Sequence, residues 1–215
     1  MTGTLPPNAS VAAPSEGDKL CAPAAGRNAD VLCDMLRTHA PENGSALEIA
    51  SGTGQHVVAF AHHCPGLLWH PTEIDTARLR SIDAYRAETV APNVKPAQLL
   101  DATQVGWHAT HSGQSLILVI NLLHLIRRSQ AQVLLHEALA ALKPGGRFIL
   151  YGPFKRDGAL TSDGDKRFDA QLRGADPAIG YKDDQEITKW LEEAGAQSVQ
   201  RKEMPANNLA VIATR

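Results

Sequence analysis

Apolar residues along this chain alternate between two kinds of run. Short, mostly apolar stretches at 46–50, 67–74, 115–126 and 147–151 read as strands, 93–101 holds a further short one, and the 115–126 run is apolar on both faces and so buried in a parallel sheet. Between them, apolar positions recur every three or four residues, the mark of amphipathic helices. Val31, Leu32, Met35 and Leu36 give one such face over 28–36. Val57, Val58, Phe60 and Ala61 give the next, from 55 onward, and Leu79, Ile82 and Tyr85 a third. A long helix is predicted over 130–142, with Leu134, Leu135, Ala138, Leu139 and Leu142 facing inward and Ser129 as its cap. Ile187, Trp190 and Leu191 mark a helix over 185–194, ended by Gly195. Two closing strands, 198–203 and 209–214, flank a turn at 204–208 whose two asparagines suit tight geometry. The alternation predicts an α/β fold.

Two stretches break the pattern. Residues 1–17 are rich in Pro, Ala, Ser and Gly and are expected to be a disordered tail, leaving 18–215 as one domain. Residues 155–183 are polar and loop-rich. Insertions of that length in compact domains are usually lids or binding loops.

Composition narrows the function classes. With 21 basic and 23 acidic residues in 215, no surface for nucleic acid or anionic lipid is advertised. No apolar run approaches the length of a membrane span, and no secretory leader is visible, so a cytoplasmic location is expected. Cys21, Cys33 and Cys64 are an odd number without C-x-x-C spacing, which points to a reducing compartment and no structural zinc. No metal is expected.

The chemistry concentrates at the end of the first strand, in E-I-A-S-G-T-G-Q-H (48–56). A strand, a turn with Gly52 and Gly54, and a helix form a unit whose backbone can approach a ligand. Such a turn suits a dinucleotide or S-adenosylmethionine. The dinucleotide fingerprint wants a third glycine three residues after the second, and that position is Val57. The form E-x-x-x-G-x-G suits S-adenosylmethionine better. Glu73 follows Gly54 by 19 residues, the spacing at which an acid closes the second strand and accepts from ribose hydroxyls. Asp101 closes the third strand at the same edge, where it could accept from an adenine amino group or merely cap a turn. Asn121 and His124 interrupt the most apolar run. A buried polar group without a partner costs about 1–3 kcal/mol, so Asn121 should meet a ligand or the backbone.

Seven strings carry a resemblance: P-A-A-G-R-N at 23–28, L-E-I-A-S-G-T-G-Q-H at 47–56, W-H-P-T-E-I-D at 69–75, N-L-L-H at 121–124, Y-G-P-F at 151–154, F-D at 168–169 and M-P-A-N-N-L at 204–209. Over about residues 18–215 the chain resembles a poorly characterised family of class I S-adenosylmethionine-dependent methyltransferases, the one that includes methyltransferase-like protein 26. The resemblance implies a Rossmann-like fold: a seven-stranded, mostly parallel sheet with a C-terminal antiparallel hairpin. It implies S-adenosyl-L-methionine as cofactor and S-adenosyl-L-homocysteine as product. Glu48, Ser51, Gly52 and Gly54 should hold the methionine end, Glu73 and Ile74 the ribose, and Asp101 and Ala102 the adenine. Arg27, Asn28 and His56 should cover the cofactor. Asn121, His124 and Tyr151 are the catalytic candidates, with His124 as base. His124, Tyr151, Phe154 and Asp169 are the substrate-side candidates.

The chain departs from the family pattern around its acceptor side: Ile126-Arg127-Arg128 stands for Ser-Pro-Trp, Asp165 for Asn, and Tyr181-Lys182 for Ile-Arg, while no proline follows the Arg27-Asn28 pair. A specialised relative acting on a small-molecule O or N nucleophile, in secondary metabolism, is expected, as monomer or homodimer. The competing readings are a non-catalytic S-adenosylmethionine-binding module, a non-methylation enzyme using the same cofactor, and an NAD-dependent oxidoreductase.

Overall fold

The computed structural model describes residues 5–6, 9–89 and 91–215. In chain order these residues form β1 (Ala13–Pro14), β2 (Leu20–Cys21), α1 (Pro23–His39), β3 (Gly44–Ile49), α2 (Gln55–His63), β4 (Leu67–Glu73), α3 (Thr76–Glu88), β5 (Gln98–Leu99), β6 (Gln114–Ile120), α4 (Arg128–Ala141), β7 (Leu142–Pro153), α5 (Asp163–Ala175), α6 (Asp184–Glu193), β8 (Ser198–Glu203) and β9 (Asn208–Thr214). One seven-stranded sheet runs β5-β4-β3-β6-β7-β9-β8, and β1 pairs only with β2. Its first five strands are parallel; β9 enters antiparallel between β7 and β8. This is the expected α/β architecture with its terminal hairpin.

Both faces of the sheet are covered, which is why its strands read as apolar runs rather than alternations. Successive residues of β6 point to opposite layers. Leu116 and Leu118 pack with Leu32, Phe60 and Ile82 of α1, α2 and α3. Ile117 and Val119 pack with Leu135, Leu139 and Ile187 of α4 and α6. The strand order reverses between β3 and β6, and in open α/β sheets ligands bind beyond the carboxyl ends of the strands at such a switch point.

Several expectations need correction. Helix α1 begins at Pro23, not 28, because proline suits a helix's first turn, where its missing N–H would have no partner. The helix predicted from 130 begins at Arg128. Ser129 is inside it, and the Gln130 side chain accepts from the Arg127 N–H (2.9 Å) at the cap. The short strand expected within 93–101 is Gln98–Leu99, with an isolated bridge from Val94 to Trp69. The 155–183 stretch contains a full helix, α5, capped by Ser162 accepting from the Asp165 N–H. Of the expected tail, residues 1–4 and 7–8 lie outside the described residues. Residues 13–14 pair with β2, and Arg78 donates to the Ser10 carbonyl and hydroxyl (3.1 and 2.6 Å). A composition argument counts apolar surface and is blind to backbone pairing of this kind.

Candidate active site

The carboxyl ends of β3, β6 and β7 open into a cleft of about 1040 Å³. Its floor is set by two strained residues. Ala50, just past β3, and Asn121, just past β6, adopt φ of 55° and 53°. Left-handed backbone costs a non-glycine residue about 1–2 kcal/mol and persists only where surroundings impose it. Here the flanking bonds impose it: Ser51 donates to the Thr72 carbonyl and Asn121 to the Tyr151 carbonyl, both at 2.8 Å. These two turns part the backbones at the switch point, and both line the cleft.

The two glycines of the turn have different reasons to be glycine. A Cβ on Gly52 (φ +63°) would meet nothing within 4 Å, and Gly52 lines the cleft. A Cβ on Gly54 (φ +94°) would lie 2.7 Å from the Ile82 Cα. Gly54 is therefore where α3 packs against the turn, and it stands outside the cleft lining.

Beneath the turn lie two buried carboxylates, Glu48 at 2% exposure and Glu73 at 4%. Glu73 is tied down: Oε2 accepts from the Gly52 N–H (3.0 Å), Oε1 from Ile74 (2.7 Å), and Arg78 Nη1 stands 4.0 Å away. Glu48 lines the cleft, and its Oε2 has no hydrogen-bond partner among the described residues. Burial pushes its carboxyl up to about 8, against the pull of the nearby Ser51 hydroxyl and with some help from Glu73. A neutral acid with an unused oxygen waits at the end of the central strand.

On one side, α1 supplies Arg27 and Asn28. Arg27 is exposed and has no carboxylate partner among the described residues. Asn28 meets His56 Nε2 at 2.8 Å. His56 is buried and stacked on Phe60, and burial lowers it to about 4, so it is a neutral link between α1 and α2. Tyr151 lies on the cleft wall; burial raises its hydroxyl, against hydrogen bonds with Asn28 and Asn208.

The opposite side is built by the 155–183 stretch, expected as a lid or binding loop, and by the β8–β9 turn, with Phe168 and Tyr181 not among the predicted site residues. Phe168 of α5 and Tyr181 beyond it stand edge-on to the His124 ring, at centroid distances of 5.7 and 6.0 Å, and all three line the cleft. Burial and the Lys182 ammonium push His124 down to about 3. No group among the described residues hydrogen-bonds its ring. Such an imidazole stays uncharged near neutral pH. The β8–β9 turn contributes Pro205, Ala206 and Asn208, with Ala206 and Asn207, not Asn208, taking the positive φ. The signal available was the long insertion itself and the P-A-N-N turn, but neither says which way it folds.

Of the predicted residues, Arg27, Asn28, Glu48, Ser51, Gly52, His56, Asn121, His124 and Tyr151 come together in the cleft. Others are placed elsewhere. Asp101 accepts from Thr103 N and Oγ1 (3.0 and 2.6 Å) and from Gln104 Nε2, capping a turn. Ala102 and Phe154 are buried in the α4–α6 layer. Ile74 is 56% exposed and outside the lining, as is Glu73. Asp169 is buried under Arg173 Nε (2.8 Å) and the Tyr181 N–H (2.7 Å), so it positions Tyr181 rather than facing the cleft.

The same fold occurs in solved methyltransferases. A candidate O-methyltransferase from Nostoc punctiforme superimposes with a TM-score of 0.76 at 18% identity, covering 89% of this chain and 56% of that one. The S-adenosylmethionine-dependent methyltransferase SibL gives 0.72 at 22%, covering 89% and 55%. Human N-acetylserotonin methyltransferase, solved in complex with S-adenosylmethionine, gives 0.70 at 14%, covering 89% and 51%. The chain thus spans about half the length of these structures and shares their Rossmann-like fold. The family model of a protein of unknown function, DUF938, matches residues 19–215, and the chain belongs to that family.

Proposed function

We propose that this protein is an S-adenosylmethionine-dependent methyltransferase acting on a small-molecule O or N nucleophile. The observation that carries the reading is the orphaned Glu48 Oε2, buried beside the open Gly52 turn at the switch point of the sheet. The residues present fit the cofactor. An unpartnered buried acceptor suits an ammonium group, and Gly52 leaves room for close approach. Glu73, outside the cleft lining, holds the turn in shape through the Gly52 N–H. Asp101 is a weaker fit for adenine, since its carboxylate is committed to its own turn.

When bound, S-adenosylmethionine would supply a methyl group on a positive sulfur, the C–S electron pair staying on sulfur as the acceptor gains the methyl and gives up its proton to water. This chain's task is alignment, which can be worth effective molarities of about 10⁵ M or more. Asn121 and His124 border the acceptor and orient its lone pair by hydrogen bonds. Arg27 and Asn28 close the cleft from α1. The fold likeness to methyltransferases and the family strings support the reading, including kinship with methyltransferase-like protein 26. Among the described residues no helix is long and apolar enough to cross a membrane; a cytoplasmic location and a monomeric or homodimeric state belong to the proposal.

Thermal shift with S-adenosylmethionine, S-adenosylhomocysteine and NAD tests it. Stabilisation by the first two, lost in Glu48→Gln, is expected. Stabilisation by NAD alone would favour an oxidoreductase. Binding without methyl transfer to any of a broad acceptor panel would favour a non-catalytic module.

A further inference from the structure

Resting on the methyltransferase reading, we infer that the acceptor is a flat aromatic alcohol or amine without an anionic group, seated against the His124, Phe168 and Tyr181 rings. The far end of the cleft is walled by these three side chains, all edge-on to one another; Phe168 and Tyr181 lie 6.2 Å apart at 74°. Aromatic rings prefer offset or edge-to-face partners, and such pairs contribute about 0.5–1.5 kcal/mol beyond the area they bury. Leu122, Leu125 and Pro153 complete an apolar surround.

Polar groups on this side are few and directional. His124 is 5% exposed, and its ring nitrogens have no hydrogen-bond partner among the described residues. Asn121, next to it, is held by its left-handed backbone with its side chain at the cleft. Two such groups can fix one O–H or N–H at the edge of a ring. Asp165 lines the same region and stays ionised, held by Ser162, Thr161, Tyr181 and Asn207. Asp30 also lines the cleft. A phosphorylated or carboxylated acceptor seated on the rings would meet the Asp165 carboxylate bonded to the Tyr181 hydroxyl, whereas the lining cations Arg27 and Arg78 stand on α1 and α3.

The wall itself is set by buried contacts. Tyr181 is fixed through its backbone by Asp169 and through its hydroxyl by Asp165 (3.2 Å). Phe168 and Tyr181 pack with Leu172 and Ile179.

The test uses ligand-observed NMR on the full chain with and without S-adenosylhomocysteine. The probes are phenols, naphthols and anilines, each matched to its ring-saturated counterpart and to a carboxylated one. Aromatic neutral members should bind about tenfold tighter than the saturated ones, the factor that about 1.4 kcal/mol gives. Phe168→Leu should shrink that preference severalfold, while Tyr181→Phe, which keeps the ring, should retain it. S-adenosylhomocysteine binding should be the same in all three proteins. Equal binding of aromatic and saturated probes, no binding of either, or preference for carboxylated probes overturns the inference. Loss of S-adenosylhomocysteine binding with aromatic selectivity intact would instead count against the methyltransferase reading alone.

Discussion

Replacing Glu48 by Gln should make this protein more stable while removing the carboxyl proposed to hold the cofactor's ammonium group. Glu48 is 2% exposed, its Oε2 has no partner among the described residues, and burial raises its carboxyl from 4.5 to about 8. In the unfolded chain the same carboxyl ionises at its ordinary value. Between pH 4.5 and 8 the folded protein therefore holds a proton that the unfolded chain has released, and stability falls as pH rises. Each pH unit in that window is worth about 1.4 kcal/mol, so the whole window amounts to about 5 kcal/mol. Glutamine is neutral and of the same shape, and it removes the dependence. Urea denaturation of both proteins at half-unit steps from pH 4 to 9 reads this directly. The variant and parent should agree to within about 1 kcal/mol below pH 4.5 and diverge upward to pH 8, the variant being the more stable. Taking the difference cancels the titrating groups not coupled to Glu48, His56 and His124 among them, and leaves only Glu48 and its neighbour Glu73. A difference that stays flat across the window would refute the claim that this carboxyl is desolvated and unpaired.

Other outcomes follow from the same geometry. If an ammonium group binds at Glu48, ligand binding at pH 7 should release nearly one proton, seen by calorimetry in buffers of different ionisation enthalpy and absent in Glu48→Gln. Gly54→Ala should cost about 3 kcal/mol or more, from a left-handed backbone and a Cβ 2.7 Å from the Ile82 backbone, whereas Gly52→Ala should cost only about 1–2 kcal/mol; denaturant midpoints distinguish them. His56 and His124 are held neutral, at about 4 and 3, while the unfolded chain takes up protons near 6.5. Their contribution to stability is therefore lost as pH falls below 6.5, and His124→Phe should flatten the acid limb of the pH–stability curve. Asp169→Asn should loosen Tyr181 and weaken acceptor binding, with S-adenosylhomocysteine affinity unchanged by calorimetry.

The sheet was legible because its strands are covered on both faces, so that runs such as 115–120 carry little but apolar side chains. The glycine turn was legible because its local geometry demands small residues whatever surrounds it. Asp101 was left between two readings for a physical reason. An acid at a strand end has the same sequence signature whether it faces a ligand or accepts from Thr103 two residues on. The aromatic wall was illegible because Phe168 and Tyr181 are brought to His124 by the packing of α5, a tertiary event that no spacing encodes. His124 itself stood out, but its acidity depends on burial and on Lys182, which only the fold supplies.

Ala50 and Asn121 hold their unusual backbone on neighbouring strands, each locked by a hydrogen bond to the strand beside it. Neither can relax without parting the sheet. The bottom of the cleft is thus a rigid anvil, and diversification has to happen above it, in 155–183 and 204–208. Anyone redirecting this scaffold toward a new acceptor should randomise those two segments and leave the strand tips alone.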